Sequence, residues 1–297
     1  MGKIKNKNRA FQKFKQLHWG VKLTLILFFL FFLFEAFVEL YPFVWVINNS
    51  LKGNEFYETS TEITRTFAFE NYLKVFSEFK SEGAITAYYF TMLMNSIWQT
   101  AVFLFVNLLS SMLVAYALAK FRFPGKGFLY GLLIFTQTIP IIGTGAAAFK
   151  LRYALGMINN PYTIWYSWAS GFDYSAFILF GAFLGVSNSY SESAKLDGAN
   201  EFQILGRVIF PQVFPVIVAL LVTNFVGKWN DYTTSQINLT KYPSLAFGLF
   251  TYRKASSYGI KGVYYAATVM TALPGVILYT IFQNLIINNV SVGGLKG

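Results

Sequence analysis

The chain contains no cysteine, a single histidine and few charges, 12% of its 297 residues against about a quarter in an ordinary soluble domain. The missing cysteines exclude a disulfide framework, a thiolate zinc site, an iron–sulfur ligand set and a cysteine nucleophile. The one histidine, His18, lies in a basic N-terminal stretch, where solvation or contact with lipid headgroups suits it better than metal ligation. No clustered catalytic set and no G-x-x-x-x-G-K-[ST] phosphate loop is found, so the chain is not read as an enzyme and cannot hydrolyse ATP alone.

In place of charge there is apolar and aromatic surface, 55% and 20% of the residues. Long apolar runs separated by short polar stretches predict one polytopic membrane domain over 22–288 rather than two soluble ones. Spans are expected at about 22–47, 91–119, 128–149, 162–184, 208–227 and 264–287, between a basic tail at 1–21 and a second tail at 289–297. Runs such as Leu25–Phe34 and Val213–Val222 do not alternate, which excludes a barrel. The expected fold is therefore all-α, a bundle of six transmembrane helices.

The net charge of +11 would fit nucleic-acid binding were it spread over one face, but seven of the 24 basic residues fall within the first 22. A basic cluster running into an apolar span predicts a cytoplasmic N-terminus that also touches anionic lipid. No A-x-A-like cleavage site follows the first apolar stretch, and the first segment is read as a retained span. With both termini inside, residues 120–127 and 185–207 are cytoplasmic, and the loop at 48–90, with Glu55, Glu58, Glu62, Glu70, Glu78 and Glu82, is outside.

Within the spans, Glu35 and Glu39 share one face of the first helix, either as a proton or cation site or packed against protein or headgroups. The fourth span carries Tyr166, Ser170 and Asp173 at helical spacing, with Trp165, Trp168 and Phe172 on a neighbouring face. A carboxylate beside aromatics would suit sugars, which present hydroxyls on their edges and C–H groups on their faces; an aromatic belt with ordinary helix packing is the alternative. Asp173 is the member expected to face a pathway through the protein rather than lipid. Pro140, Pro211, Pro215 and Pro274 mark kinks in or beside spans.

The most specific signal lies between the fourth and fifth spans. Ser189 with Glu192 has capping-box spacing, Gly198 suits a left-handed helix end, and Asn200 with Gln203 repeats the capping pattern. Two short helices joined by a tight turn are expected, a long ordered protrusion for a connection that could be four or five residues.

These residues resemble the membrane subunits of binding-protein-dependent ABC importers. The family pattern appears as Glu192-Ser193-Ala194, then Asp197-Gly198-Ala199, then Ile209-Phe210-Pro211, with Ser193 and Phe210 departing from it. Distributed matches such as Phe69-Glu70-Asn71-Tyr72, Asn95-Ser96 and Trp229-Asn230-Asp231 are similar to the carbohydrate-uptake branch. The resemblance implies a permease subunit in a bacterial cytoplasmic membrane, paired with a second permease, two copies of an ABC ATPase and an extracytoplasmic solute-binding protein. It implies that Glu192, Ala194, Asp197, Gly198, Ala199, Phe202 and Pro211 couple to the ATPase, which binds ATP and Mg, and that Gly294 and Lys296 in the tail reach the ATPase dimer. The substrate it implies is a sugar or oligosaccharide; a non-sugar solute, or a secondary transporter, is the alternative.

Overall fold

A computed structural model of the chain describes residues 17–53, 63–64, 67–139, 143–255 and 262–290. Gly294 and Lys296, Pro140, the basic residues before residue 17, and Glu55, Glu58 and Glu62 lie outside the described residues. Apart from one hairpin, β1 Lys80–Glu82 paired antiparallel with β2 Thr86–Tyr88, the regular structure described is helical.

Four of the described helices are long and apolar enough to cross a membrane: α1 (Trp19–Ser50), α3 (Tyr89–Lys120), α8 (Glu201–Trp229) and the long final helix, of which Gly262–Asn284 is the apolar part. Short elements lie between them: α2 (Glu70–Glu78), α4 (Lys126–Thr138), α5 (Gly145–Ala154), α6 (Tyr174–Gly185), α7 (Asn188–Leu196) and α9 (Leu245–Ala255). The final helix, α10, runs Gly262–Val290.

Two expected spans are not continuous helices. The segment 128–149 divides into α4 and α5, and 162–184 divides into a 3-10 turn at Ile164–Trp168 and the 12-residue α6. At 1.5 Å per residue α6 is about 18 Å long, too short to cross hydrocarbon about 30 Å thick alone. The break has a local cause. Gly171 takes φ +64, a conformation costly to residues with a Cβ, and Asp173 starts a new helix by accepting a hydrogen bond from Ala176 N at 3.0 Å. Tyr166, Ser170 and Asp173 therefore do not share a helix face.

Irregular backbone at membrane depth survives only where protein satisfies its polar groups. Here α3 does so. Its buried face carries Asn95, Ser96, Gln99, Thr100, Asn107 and Ser111, an amide and hydroxyl stripe at helical spacing. Asn95 Nδ2 donates to the Pro243 carbonyl at 3.0 Å, Gln99 Nε2 to the Tyr242 carbonyl at 2.9 Å, and Ser96 Oγ accepts from Leu245 N at 2.8 Å. The stripe thus holds the turn that leads into α9. Apolar packing surrounds it: Met92, Phe225, Trp229 and Leu245 cluster towards one end of the bundle, and Tyr116, Phe183, Ile204 and Ile209 towards the other.

By contrast, α1 packs on the rest of the chain mainly through its C-terminal end. Trp45 meets Tyr265 edge-on at 5.3 Å, Ser50 bonds the Tyr72 hydroxyl at 2.7 Å, and Asn49 and Ser50 are buried. Its remaining length is exposed, including Glu35 and Glu39.

Gly171 provides a direct check on the broken span. A Cβ there would lie 2.9 Å from Val114 Cγ2, so Gly171→Ala combines positive φ with overlap against α3. We expect a loss of about 1–3 kcal/mol, read as a lower melting temperature in detergent. An unchanged melting temperature would mean that 169–173 does not lie against α3.

Candidate functional site

The two short helices expected in the polar loop are present and form an elbow. Helix α7 is capped by Ser187, whose Oγ accepts from Ser189 N at 3.3 Å. The expected Ser189–Glu192 capping box is not formed: Ser189 lies inside the helix, and Glu192 is exposed. The start is fixed instead by Lys120 at the end of α3. Its Nζ donates to the Val186 carbonyl and, at 3.0 Å, to Asn188 Oδ1, so the entry of the loop is tied to the bundle.

Helix α7 ends at Gly198, with φ +81. Gly198 N donates to the Lys195 carbonyl and Ala199 N to the Ala194 carbonyl, both at 3.0 Å. This pair of reversed bonds is a Schellman motif, and Ala194 and Ala199 are its apolar partners. Asn200 then caps α8 through a reciprocal capping box with Gln203, at 2.8 and 2.9 Å. A Lys195–Glu201 ion pair of 2.6 Å spans the corner. The expected turn and second cap are both observed.

The elbow has two faces. Inward, Ala194, Ala199 and Leu205 pack on the cluster of Phe183, Ile204 and Ile209. Outward, Leu196 is 91% and Phe202 83% exposed, with Glu192 and Asp197 also exposed around them. Two large apolar side chains held in a charged frame on a rigid turn form a surface suited to docking. Leu196 was not among the expected coupling residues, although an apolar residue immediately before Asp197-Gly198 was a readable signal. Pro211 lies just past a π-helical turn at Ile204–Ile209, in the first turn of the regular helix.

At the other end of α8, about 40 Å along the helix by its rise per residue, lies a polar cavity of about 330 Å³. Lys228 is buried there, paired with Asp231 Oδ2 at 2.9 Å and with Thr234 Oγ1 at 2.9 Å. Its Nζ also stands 4.7 Å from the centre of the Trp168 ring and 5.5 Å from that of Phe103. Burial pushes the Asp231 carboxyl up, but the Lys228 charge and hydrogen bonds from Thr234 and Lys228 outweigh it and hold the group below its ordinary value. Sequence reasoning used Trp229-Asn230-Asp231 only as a family match and missed the Lys228–Asp231 pair.

The residues expected on a sugar-facing wall are placed differently. Tyr166 is exposed and stacks on Trp165 at 3.9 Å, and Ser170 is exposed in the break. Asp173 is turned towards α3, where Oδ2 accepts from Asn107 Nδ2 at 2.7 Å and Oδ1 from Ser111 Oγ at 2.8 Å. With the Ala176 N–H it has three donors, which satisfies the carboxylate within the protein. Asn107 Oδ1 in turn accepts from Asn224, which also donates to Ser175 Oγ at 2.9 Å.

A bundle of apolar helices with broken spans, carrying a polar elbow at one end, defines a polytopic helical membrane protein. Residues 108–292 match the family described as "Binding-protein-dependent transport system inner membrane component", and the chain belongs to it. It is 28% identical over 279 residues to the arabinooligosaccharides transport system permease protein AraQ of Halalkalibacterium halodurans, covering 90% of this chain and 94% of that protein. It is 28% identical over 272 residues to the maltose/maltodextrin transport system permease protein MalG of Escherichia coli, covering 87% and 91%. In fold it is similar to a chain of a bacterial ABC transporter involved in the import of the acidic polysaccharide alginate, with TM-score 0.71, 23% identity, and coverage of 90% and 98%.

The geometry makes Asp173 a support of the fold. Asp173→Ala removes a helix cap and leaves Asn107 and Ser111 without their acceptor, a loss of about 2–4 kcal/mol. The expected result is a lower melting temperature and less assembled protein, with Tyr166→Ala indistinguishable from the parent in both. Loss of transport by Asp173→Ala at full stability would return the carboxylate to the pathway.

Proposed function

We propose that the chain is the permease subunit of an ATP-driven ABC importer and forms half of the translocation pathway for a sugar or oligosaccharide. The observation that carries the reading is the elbow: a Schellman turn at Gly198 back-to-back with a capping box at Asn200, exposing Leu196 and Phe202. The named relatives, permeases of oligosaccharide uptake systems covered over most of their length, support the substrate class. The chain acts without catalysis of its own, in a bacterial cytoplasmic membrane, with both termini and the elbow cytoplasmic. A second permease completes the pathway, an extracytoplasmic binding protein delivers the sugar, and two ATPase subunits bind ATP and Mg.

The mechanism follows from the two faces of the elbow. Its outer face seats in the ATPase, whose closure on ATP moves α7 and the start of α8 together. Because the inner face is packed on Phe183, Ile204 and Ile209, that movement is transmitted to α6 and α8 rather than absorbed by a loop. ATP binding drives the change to the extent that the ATPase binds one state of the bundle more tightly than the other.

The test is substitution at the turn. Gly198→Asp puts a Cβ and a charge at positive φ, with open space around the Cβ in the isolated chain, so the variant should insert and fold with a local cost of about 1–2 kcal/mol. We expect it to abolish sugar uptake and to lose the ATPase on co-purification, and Phe202→Ala to weaken that association about tenfold while keeping the turn. Normal uptake by Gly198→Asp with its ATPase bound would make the elbow a plain connector.

A further inference from the structure

The cavity at the far end of α8 carries an inference that rests on the importer reading and goes beyond it. Its charges do not cancel. Lys228 and Asp231 neutralise each other, and Asp231 is fully engaged: Oδ2 accepts from Lys228 and Thr234, and Oδ1 accepts from Thr234 N at 3.1 Å. Arg152, from α5, also lines the cavity, and among the described residues it forms no ion pair. Its planar fork of donors is built to hold a carboxylate with two parallel bonds. A second observation points into the same space: Asn238 Oδ1 is buried at the wall of the cavity and accepts no hydrogen bond. A buried acceptor without a donor is costly, and a ligand hydroxyl would relieve it.

We propose that this cavity is a saccharide subsite of the permease itself, and that it selects a sugar unit bearing a carboxylate. Arg152 takes the carboxylate, and Asn238 Oδ1 accepts from a ring hydroxyl. Asn224 forms part of the wall and is braced from behind by Asn107 and Ser175. The volume, about 330 Å³, lies at the small end of ligand clefts and suits one monosaccharide unit of a longer chain. The place is appropriate to a moving substrate: the end of the bundle opposite the elbow, which is the outer side when the elbow is cytoplasmic. The Lys228–Asp231–Thr234 set, closed over by Trp168 and Phe103, keeps its own charge out of the selection and leaves Arg152 to set it.

The test is equilibrium binding to the assembled permease–ATPase complex in nanodiscs, without binding protein, so that selection by that protein does not enter. The probes are digalacturonate and neutral digalactose of the same linkage. The parent complex should bind the acidic disaccharide at least tenfold more tightly. Arg152→Gln should bring the ratio near one, Arg152→Lys should keep part of it, and Asn238→Asp should lower or invert it. Because each ratio is internal to one variant, differences in yield do not affect it. Equal binding of both probes, no binding of either, or a ratio that survives Arg152→Gln would overturn the subsite while leaving the importer reading, which stands on ATPase association and uptake. A complex that assembles with no ATPase would remove both.

Discussion

One carboxylate organises the middle of the bundle. Asp173 starts α6, and the same two oxygens fasten that start to Asn107 and Ser111 of α3. Asn107 passes the connection on to Asn224 of α8. Three helices are thereby held at one level by polar bonds among part-buried groups, where an unmet group is costly. Both α6 and α8 run from that level to the elbow, one entering it and the other leaving it. The elbow is therefore the closed end of a loop whose open end is clamped, and its orientation is set by the bundle.

Much of this was legible in the sequence, and the exceptions have physical reasons. Hydropathy located α1, α3 and α10 to within about three residues at each end because each is one long apolar run, and it found the apolar part of α8 but not its polar start, seven residues earlier at Glu201. It failed at 128–149 and 162–184, where the composition stays apolar while a few residues, Gly171 and Asp173 in the second case, change the backbone; a windowed average does not register single residues. At the elbow, Gly198 and the Asn200–Gln203 pair were readable because their requirements are local. The cap of α7 was misassigned because Ser187, Asn188 and Ser189 all suit a helix start, and the choice among them is made by Lys120, 67 residues before Ser187. The Lys228 cavity was hidden for the same reason: Lys228 and Asp231 are close in sequence, but Phe103, Arg152 and Trp168 reach them only through the fold.

The distribution of aromatic residues also separates roles. On α3, α6 and α8, rings such as Tyr116, Phe183, Phe225 and Trp229 pack inward. On α1, Phe28, Phe29, Phe31, Phe32 and Phe34 stand more than half exposed. A helix with so little contact to its own chain contributes surface to a larger assembly or to lipid, consistent with a subunit that is half of a pathway.

The π-helical turn at Ile204–Ile209 has a mechanical consequence. A π turn holds one residue more than the α-helical turn it replaces, and in an α-helix each residue corresponds to 100° of rotation about the axis. Helix α8 thus carries a stored increment of winding between the Asn200 cap and the membrane segment. The part of the helix beyond the turn is therefore rotated, relative to the elbow, from where an unbroken α-helix would place it. The wall of the cavity at Asn224 and Lys228 belongs to that part, so the π turn sets the angular phase between the elbow at one end of the helix and the polar cavity at the other.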